Sequence, residues 1–426
     1  MNQIKNLGWR VTFAGLGINL ALGILYTWSI FKMTIKESIL AGDGLYNWSL
    51  SSLNDPYAVC CLVFAFGMIF AGRVQDRTGP RVTAVIGGVL TGSGLILIAF
   101  STSWIVWILG FGVLMGMGLG FGYASATPPA IKWFPPAKTG MIAGIVVAGF
   151  GLASVYIAPL GTFLIGKFGL SQSMLIFGVA FLIVVSCLAQ FLVNPPEGYV
   201  HPDAVSKISP AASVGVNFSP GEMMKTGAFY KLWVIFCVGS GAGLMIIGGV
   251  AGMAKAGMGS MAWVVVALMA VGNASGRVVA GILSDKIGRA NTLFIMMTAQ
   301  AIVIFSLLFI PPAQIVLLVI AATLIGFNYG TNLSLFPSAT KDFFGMKNFG
   351  VNYGLVFSAW GVGGFIFPRV SQMIVAHTNS PRIAYILAAG LLLLGAVLAL
   401  LTKAPVAATE KEPLFNVPMA EKVNAR

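Results

Sequence analysis

Charged side chains are scarce in this chain: Lys, Arg, Asp and Glu make up 9% of its 426 residues, where a soluble domain carries about 25%. Acids are scarcest, with 12 Asp and Glu against 25 Lys and Arg, and there are only 2 His and 4 Cys. With 58% hydrophobic residues and a mean hydropathy of +0.91, the polar residues cannot cover the apolar remainder, which excludes a water-soluble globule. Cys60, Cys61, Cys187 and Cys237 all fall inside apolar runs. They are neither loop pairs nor spaced as metal ligands, so they read as reduced packing residues. The chain also lacks a metal cluster, a nucleophile–base pair and a phosphate loop, which argues against an enzyme and against a bound cofactor. The G-x-G-x-G-x-G run at 116–122 follows no strand and reads as a helix-packing surface.

What is present is apolar sequence in long runs. A bilayer core takes about 20 such residues per helix, and runs fall at 12–32, 55–74, 82–101, 104–130, 140–165, 172–193, 230–254, 261–284, 290–310, 313–338, 350–375 and 382–402. The first is too long for a signal-peptide core and has no cleavage-like end, so it is kept as a span. The expected fold is an all-α integral membrane protein with twelve transmembrane helices in two six-helix bundles. Residues 1–193 and 230–404 form the bundles, 194–229 a linker rich in Pro, Ser and charge, and 405–426 a tail. An even number of spans puts both ends on one side. Segments on that side hold 18 of the 25 Lys and Arg, the opposite side holds 6, and Arg277 is left over. The net charge of +13 thus follows the positive-inside rule rather than nucleic-acid binding. It predicts a multi-pass protein of a cell membrane, a bacterial inner membrane, with both ends cytoplasmic, lipid as its surroundings and no obligate protein partner.

One motif occurs twice. Gly72-Arg-Val-Gln-Asp76-Arg77-Thr-Gly79-Pro-Arg81 follows the second run, and Gly281-Ile-Leu-Ser-Asp285-Lys286-Ile-Gly288-Arg289 follows the eighth. Both are G-x-x-x-D-[RK]-x-G, and both are expected in short inside loops that act as gates. The glycines permit tight turns and close helix approach, and the Asp can cap helix ends or pair with nearby cations.

Every Asp, Glu and His is placed in a loop, a tail or at a helix end, which leaves Arg277 as the one ionisable residue of these types near mid-membrane. It lies about 12 Å from the inner end of its helix. A central Arg costs roughly 2.5–3.5 kcal/mol on insertion scales and needs a compensating role. Guanidinium matches a carboxylate bidentately and keeps its proton, so with no buried acid its partner is an anion supplied by a substrate; satisfaction by backbone carbonyls is the structural alternative. Asn273, one turn earlier, shares its face. Tyr26, Tyr123, Tyr329, Phe357 and Trp360 reach a similar depth, with Leu333 one turn beyond Tyr329. Together they suit a small, mostly apolar pocket with one anion hook.

The doubled motif resembles the major facilitator superfamily, over the whole chain, and implies two bundles that rock around a central site to give alternating access. Further stretches narrow the resemblance. They are Tyr26-Thr-Trp28-Ser29-Ile-Phe31, Lys132-Trp133-Phe134-Pro135, Asn194-Pro195-Pro196-Glu197-Gly198-Tyr199, Leu335-Phe336-Pro337-Ser338 through Asp342-Phe-Phe344-Gly345, and Asn352-Tyr353-Gly354. Together they look like the oxalate–formate antiporter family and the related monocarboxylate transporters. That resemblance implies that Arg277 is the family's carboxylate-binding arginine and that Tyr26, Tyr123, Tyr329 and Phe357 are its aromatic pocket. The oxalate–formate antiporter has a second cation, a lysine, where this chain has Trp360. Animal proton-coupled relatives have an Asp where this chain has Asn273, and Pro136 stands where the family often has Asp. A single cation beside a bulky aromatic suits a monoanion, because a dianion would leave a buried charge unpaired.

The expectation is therefore a secondary transporter of small monocarboxylates of the lactate, pyruvate or formate type, with proton symport as the coupling and the proton as co-transported species. Carboxylate exchange such as oxalate–formate antiport is the alternative; Arg369, the only further cation on the eleventh run, lies too near its outer end to complete a dianion site. A non-transporting membrane sensor is an alternative of another class, for which the tails 1–11 and 403–426 are too short to supply a signalling domain.

Overall fold

The computed structural model describes residues 6–196, 199, 217–258, 263–311 and 314–405. Most of the expected linker and the tail from 406 onward lie outside the described residues. Among the described residues, eleven helices are long and apolar enough to cross a membrane. One of these, Pro136–Ala189, has 54 residues and would span about 81 Å if straight, against a core of about 30 Å. It turns at Gly169, whose φ of 77° and ψ of 170° break the helix, so the eleven become twelve crossings.

In chain order these are α1 (Gly8–Ala41), α2 (Asp55–Thr78), α3 (Pro80–Ala99), α4 (Trp104–Lys132), α5 (139–168) and α6 (170–189), followed by α7 (Gly227–Met258), α8 (Trp263–Ile287), α9 (Arg289–Ser306), α10 (Ile315–Phe344), α11 (Phe349–Thr378) and α12 (Arg382–Leu400). Helix α1 starts and helix α12 ends on one side, called the near side below. Helix α1 outlasts its apolar run because Lys32, Lys36 and Glu37 still support helix beyond it, and it stops at Gly42 with φ 67°. It tightens to a 3-10 turn at Gly23–Thr27, where a Cβ on Gly23 would come within 2.2 Å of Ala153 on α5. Helix α4 widens to a π-helix at Ile108–Met115, where Gly110 lies against the backbone of Gly94 on α3. Helix α11 runs to Thr378, so His377 sits in its last turn rather than beyond it.

Lipid offers no hydrophobic drive for helix association, so close backbone packing has to supply it. The tightest seam joins α8 and α10. A Cβ on Gly272 or Gly276 would sit 2.3 or 2.0 Å from the carbonyl oxygens of Thr323 and Phe327, and a Cβ on Gly326 or Gly330 would sit 2.3 or 2.0 Å from those of Met269 and Asn273. The 116–122 glycines pack in the same way: Gly116 against Cys60, Gly118 against Thr91 and Gly87, Gly120 against Gly67, and Gly122 against Leu22. Between the halves, α2 lies along α11 and α5 along α8, through Gly72 on Gly350 and Gly140 on Gly281.

Overpacking a closed seam costs about 1–3 kcal/mol or more. Gly276→Ala is therefore expected to lower the thermal midpoint of the detergent-purified protein. Gly390→Ala on α12, where a Cβ meets nothing within 4 Å, should leave it unchanged or slightly raised. Equal midpoints for the two variants would contradict the seam.

Candidate functional site

The α8–α10 seam fixes the backbone that carries Arg277. The residue lies about 15 Å from the near-side end of α8 and is 0% exposed. Its Nε donates to Asn273 Oδ1 at 2.9 Å, the i−4 neighbour on the same face. Its Nη1 donates to the backbone carbonyl of Val147 on α5, in the other bundle. Its Nη2 makes no hydrogen bond. Two glycines of α5 make room: a Cβ on Gly144 would lie 2.3 Å from the Arg277 carbonyl oxygen, and one on Gly151 would lie 3.4 Å from the guanidinium carbon. A guanidinium has five N–H donors, and an amide plus a shared backbone carbonyl leave its charge under-compensated.

Aromatic side chains from six helices close around this group. The hydroxyls of Tyr26 on α1 and Tyr329 on α10 share a hydrogen bond at 3.2 Å across the bundles. Trp360 on α11 donates Nε1–H to the Tyr329 oxygen at 2.8 Å, which leaves the Tyr329 proton free to point at Tyr26. Phe357 stacks on Trp360 with centroids 5.2 Å apart and meets Tyr123 on α4 at 5.4 Å. The expected residues Arg277, Asn273, Tyr26, Tyr123, Tyr329, Phe357 and Trp360 thus converge in one cluster. Leu333 belongs to the apolar core one turn further along α10 rather than to the polar network.

Three members are new. Phe64 on α2 touches Tyr123, Phe150, Phe357 and Trp360 with centroids 5.2–5.8 Å apart, and Phe150 on α5 packs edge-on to Tyr26 at 5.3 Å. Neither carries a polar atom to mark it among 30 Phe. Tyr353 on α11 packs on Phe357 at 5.8 Å. It stood in the Asn-Tyr-Gly stretch, and its i−4 spacing from Phe357 was the available signal.

The doubled motif lies elsewhere than expected. Gly72, Asp76 and Arg77 are in the last turns of α2, Gly281, Asp285 and Lys286 in those of α8, and Arg81 and Arg289 in the first turns of α3 and α9. Only Gly79 (φ 84°) and Gly288 (φ 89°) form the turn itself. Each Asp stays helical because it caps a helix of the opposite bundle. Asp76 accepts the N–H groups of Gly350 and Val351 at 2.9 and 3.0 Å, at the start of α11. Asp285 accepts those of Gly140 and Met141, both at 2.9 Å, at the start of α5. A carboxylate on orphan N–H groups at a helix start gains from the hydrogen bonds and from the helix dipole. The glycines Gly72 and Gly281 let the backbones close underneath. The second clamp is reinforced: Arg289 bridges Asp285 at 2.7 Å and Asp342 at 2.8 Å, and Lys341 on α10 reaches Thr139. On the first, among the described residues, Arg81 donates to the Leu192 carbonyl at 3.2 Å. Lys286 and Arg77 point to solvent.

Comparison with known proteins gives this geometry a family. The model of the Major Facilitator Superfamily matches residues 20–368 and 256–421. An uncharacterized transporter of this superfamily from Escherichia coli, YhjX, is 29% identical over 83% of this chain and 85% of its own. The oxalate:formate antiporter of Oxalobacter formigenes is 25% identical over 79% and 77%, and monocarboxylate transporter 2 of Meriones unguiculatus is 31% identical over 47% and 40%. Among solved structures, the proton:xylose symporter XylE superposes with a TM-score of 0.70 at 15% identity, covering 92% of this chain and 95% of that one. The human organic anion transporter MFSD10 gives 0.70 at 13%, covering 92% and 99%. The chain belongs to the major facilitator superfamily and is a multi-pass membrane transporter, not an enzyme.

Proposed function

We propose that this transporter carries small monocarboxylates of the lactate, pyruvate or formate type, held by their carboxylate at Arg277. The observation that carries the reading is the guanidinium itself, which is fully buried, with Nη2 unpaired and, among the described residues, no acid side chain bonded to it. A carboxylate can replace the Val147 carbonyl at Nη1 and take Nη2 in a bidentate pair, while Asn273 holds the guanidinium plane through Nε. Tyr26 and Tyr329 are placed to donate to the same anion, and Phe64, Phe150, Phe357 and Trp360 enclose an apolar body. Two relatives are named for carboxylates, which supports the class. The charge count supports a monoanion, since Trp360 occupies the place of a second cation and Arg369 is exposed and packed on Phe365.

In this reading the near side is cytoplasmic, which the 18-to-6 distribution of Lys and Arg supports, and the protein sits in a cell membrane. The Asp76 and Asp285 clamps seal the cytoplasmic side while the carrier faces out. Occupancy neutralises Arg277 and frees Val147, so the bundles can part at α5–α8 and the site can open inward. Coupling to a proton is part of the proposal, although Asn273 supplies no acid to carry one. Carboxylate exchange is the second reading, and the Arg277–Val147 bond favours it, because it ties the bundles together until a carboxylate displaces it.

Three measurements test this function. In proteoliposomes, Arg277→Gln should reduce uptake of labelled lactate, pyruvate or formate at least about 30-fold, as loss of a buried charge pair does. Uptake within a few-fold of wild type from folded protein would remove the site. Trp360→Lys should shift preference from mono- towards dicarboxylates, and an unchanged ratio would refute the charge count. Asp285→Asn should weaken the inner clamp more than Asp76→Asn does, because its network is larger. Spin-label distances across the cytoplasmic ends should lengthen accordingly; distances unchanged in both variants would show that the clamps do not hold that side.

A further inference from the structure

Arg277 lies between two cross-bundle tyrosine pairs, and they differ. On the outer side, Tyr26 and Tyr329 spend their hydroxyls on each other, and Trp360 donates to Tyr329. On the inner side, Tyr123 on α4 and Tyr353 on α11 come together beneath Phe357, which touches both rings. These two are 2% and 3% exposed; their hydroxyls face each other across the bundles, and among the described residues neither has a partner outside the pair. All four phenols interact electrostatically with the Arg277 guanidinium.

The depth of each residue orders the pairs. Tyr353 is one turn from the start of α11 at Phe349, about 6 Å from the cytoplasmic end, whereas Trp360 is about 16 Å from it. Along that face of α11 the rings of Tyr353, Phe357 and Trp360 form a ladder from the cytoplasmic end towards mid-membrane, with centroid steps of 5.8 and 5.2 Å. Two phenols that share one hydrogen bond leave one O–H proton without an acceptor, and a buried donor without a partner costs about 1–3 kcal/mol. That proton and the open Nη2 of Arg277 suit an acceptor with several lone pairs, which is what a carboxylate offers.

We propose that Tyr353, with Tyr123, forms an inner hydroxyl pair that binds the substrate carboxylate while the site is open to the cytoplasm, as Tyr26 and Tyr329 bind it while the site is open to the outside. The proposal rests on the carboxylate reading of Arg277 and adds a residue and a direction to it. The carboxylate stays on the guanidinium throughout. Its remaining lone pairs are handed from the outer phenols to the inner ones as the bundles rock, so the anion keeps hydroxyl donors in both states. Phe357 lies between the pairs, and its ring shields the exchange from water.

The test is sided. Half-saturation for a labelled monocarboxylate is measured in right-side-out and inside-out vesicles. Tyr353→Phe keeps the ring and deletes the hydroxyl; it should raise the inner constant about 5–10-fold and leave the outer constant within twofold. Tyr123→Phe should act in the same direction, and the double variant should be little worse than either single one, because each serves the same ligand atoms. An inner constant within twofold of wild type, or equal shifts on both sides, overturns the inner pair. Transport retained by Arg277→Gln overturns the guanidinium reading instead, and absence of carboxylate transport in the wild type overturns both.

Discussion

A guanidinium in the middle of a bilayer must be neutralised or solvated, and among the described residues Arg277 is bonded by an amide and a backbone carbonyl rather than by an acid. The rest of the architecture follows from holding that charge in place. Its helix is pressed against α10 by Gly272, Gly276, Gly326 and Gly330, which lets no side chain separate the two backbones. Gly144 and Gly151 of α5 lie against its backbone and its guanidinium, and the orientation of the guanidinium is fixed by Asn273. The one carbonyl it finds belongs to the opposite bundle. A charge with such weak compensation stores a preference for any anion of the right size, and that preference is what links occupancy to the fit between the halves.

The second constraint is symmetry, and it holds in one layer only. At the near-side end, Asp76 and Asp285 perform the same task on equivalent helix starts, over equivalent Gly–Gly contacts. At mid-membrane the halves diverge, because the second bundle supplies the cation while the first supplies Val147, Phe64, Phe150 and tyrosines. Even the clamps are unequal in strength, since Arg289 and Asp342 reinforce one of them. The contacts at α2–α11 and α5–α8 are therefore unequal among the described residues, and the more heavily bonded one adjoins the helix that carries Arg277.

Much of this was legible in the chain of residues. The spans follow from apolar runs, the repeat from two copies of one motif, and Arg277 from being the only charge that could not be assigned to a helix end. Asn273 was legible from helical spacing alone. What was hidden is non-local. The Val147 carbonyl lies 130 residues from Arg277 and belongs to the backbone, which every residue shares. The cappers Asp76 and Asp285 read as loop residues because a helix start 274 or 145 residues away is invisible from their neighbourhood. The 3-10 turn at Gly23–Thr27 and the π-helix at Ile108–Met115 arise from close contacts with other helices, and Phe64 is one ring among many until the bundles meet.

The central claim is that a substrate carboxylate takes over the guanidinium of Arg277 from the Val147 carbonyl. The most direct measurement is a structure of the wild-type protein with lactate bound. The account predicts the carboxylate in a bidentate pair with Nη1 and Nη2, Asn273 still on Nε, and Val147 released. Lactate seated elsewhere with the Arg277–Val147 bond intact would contradict it.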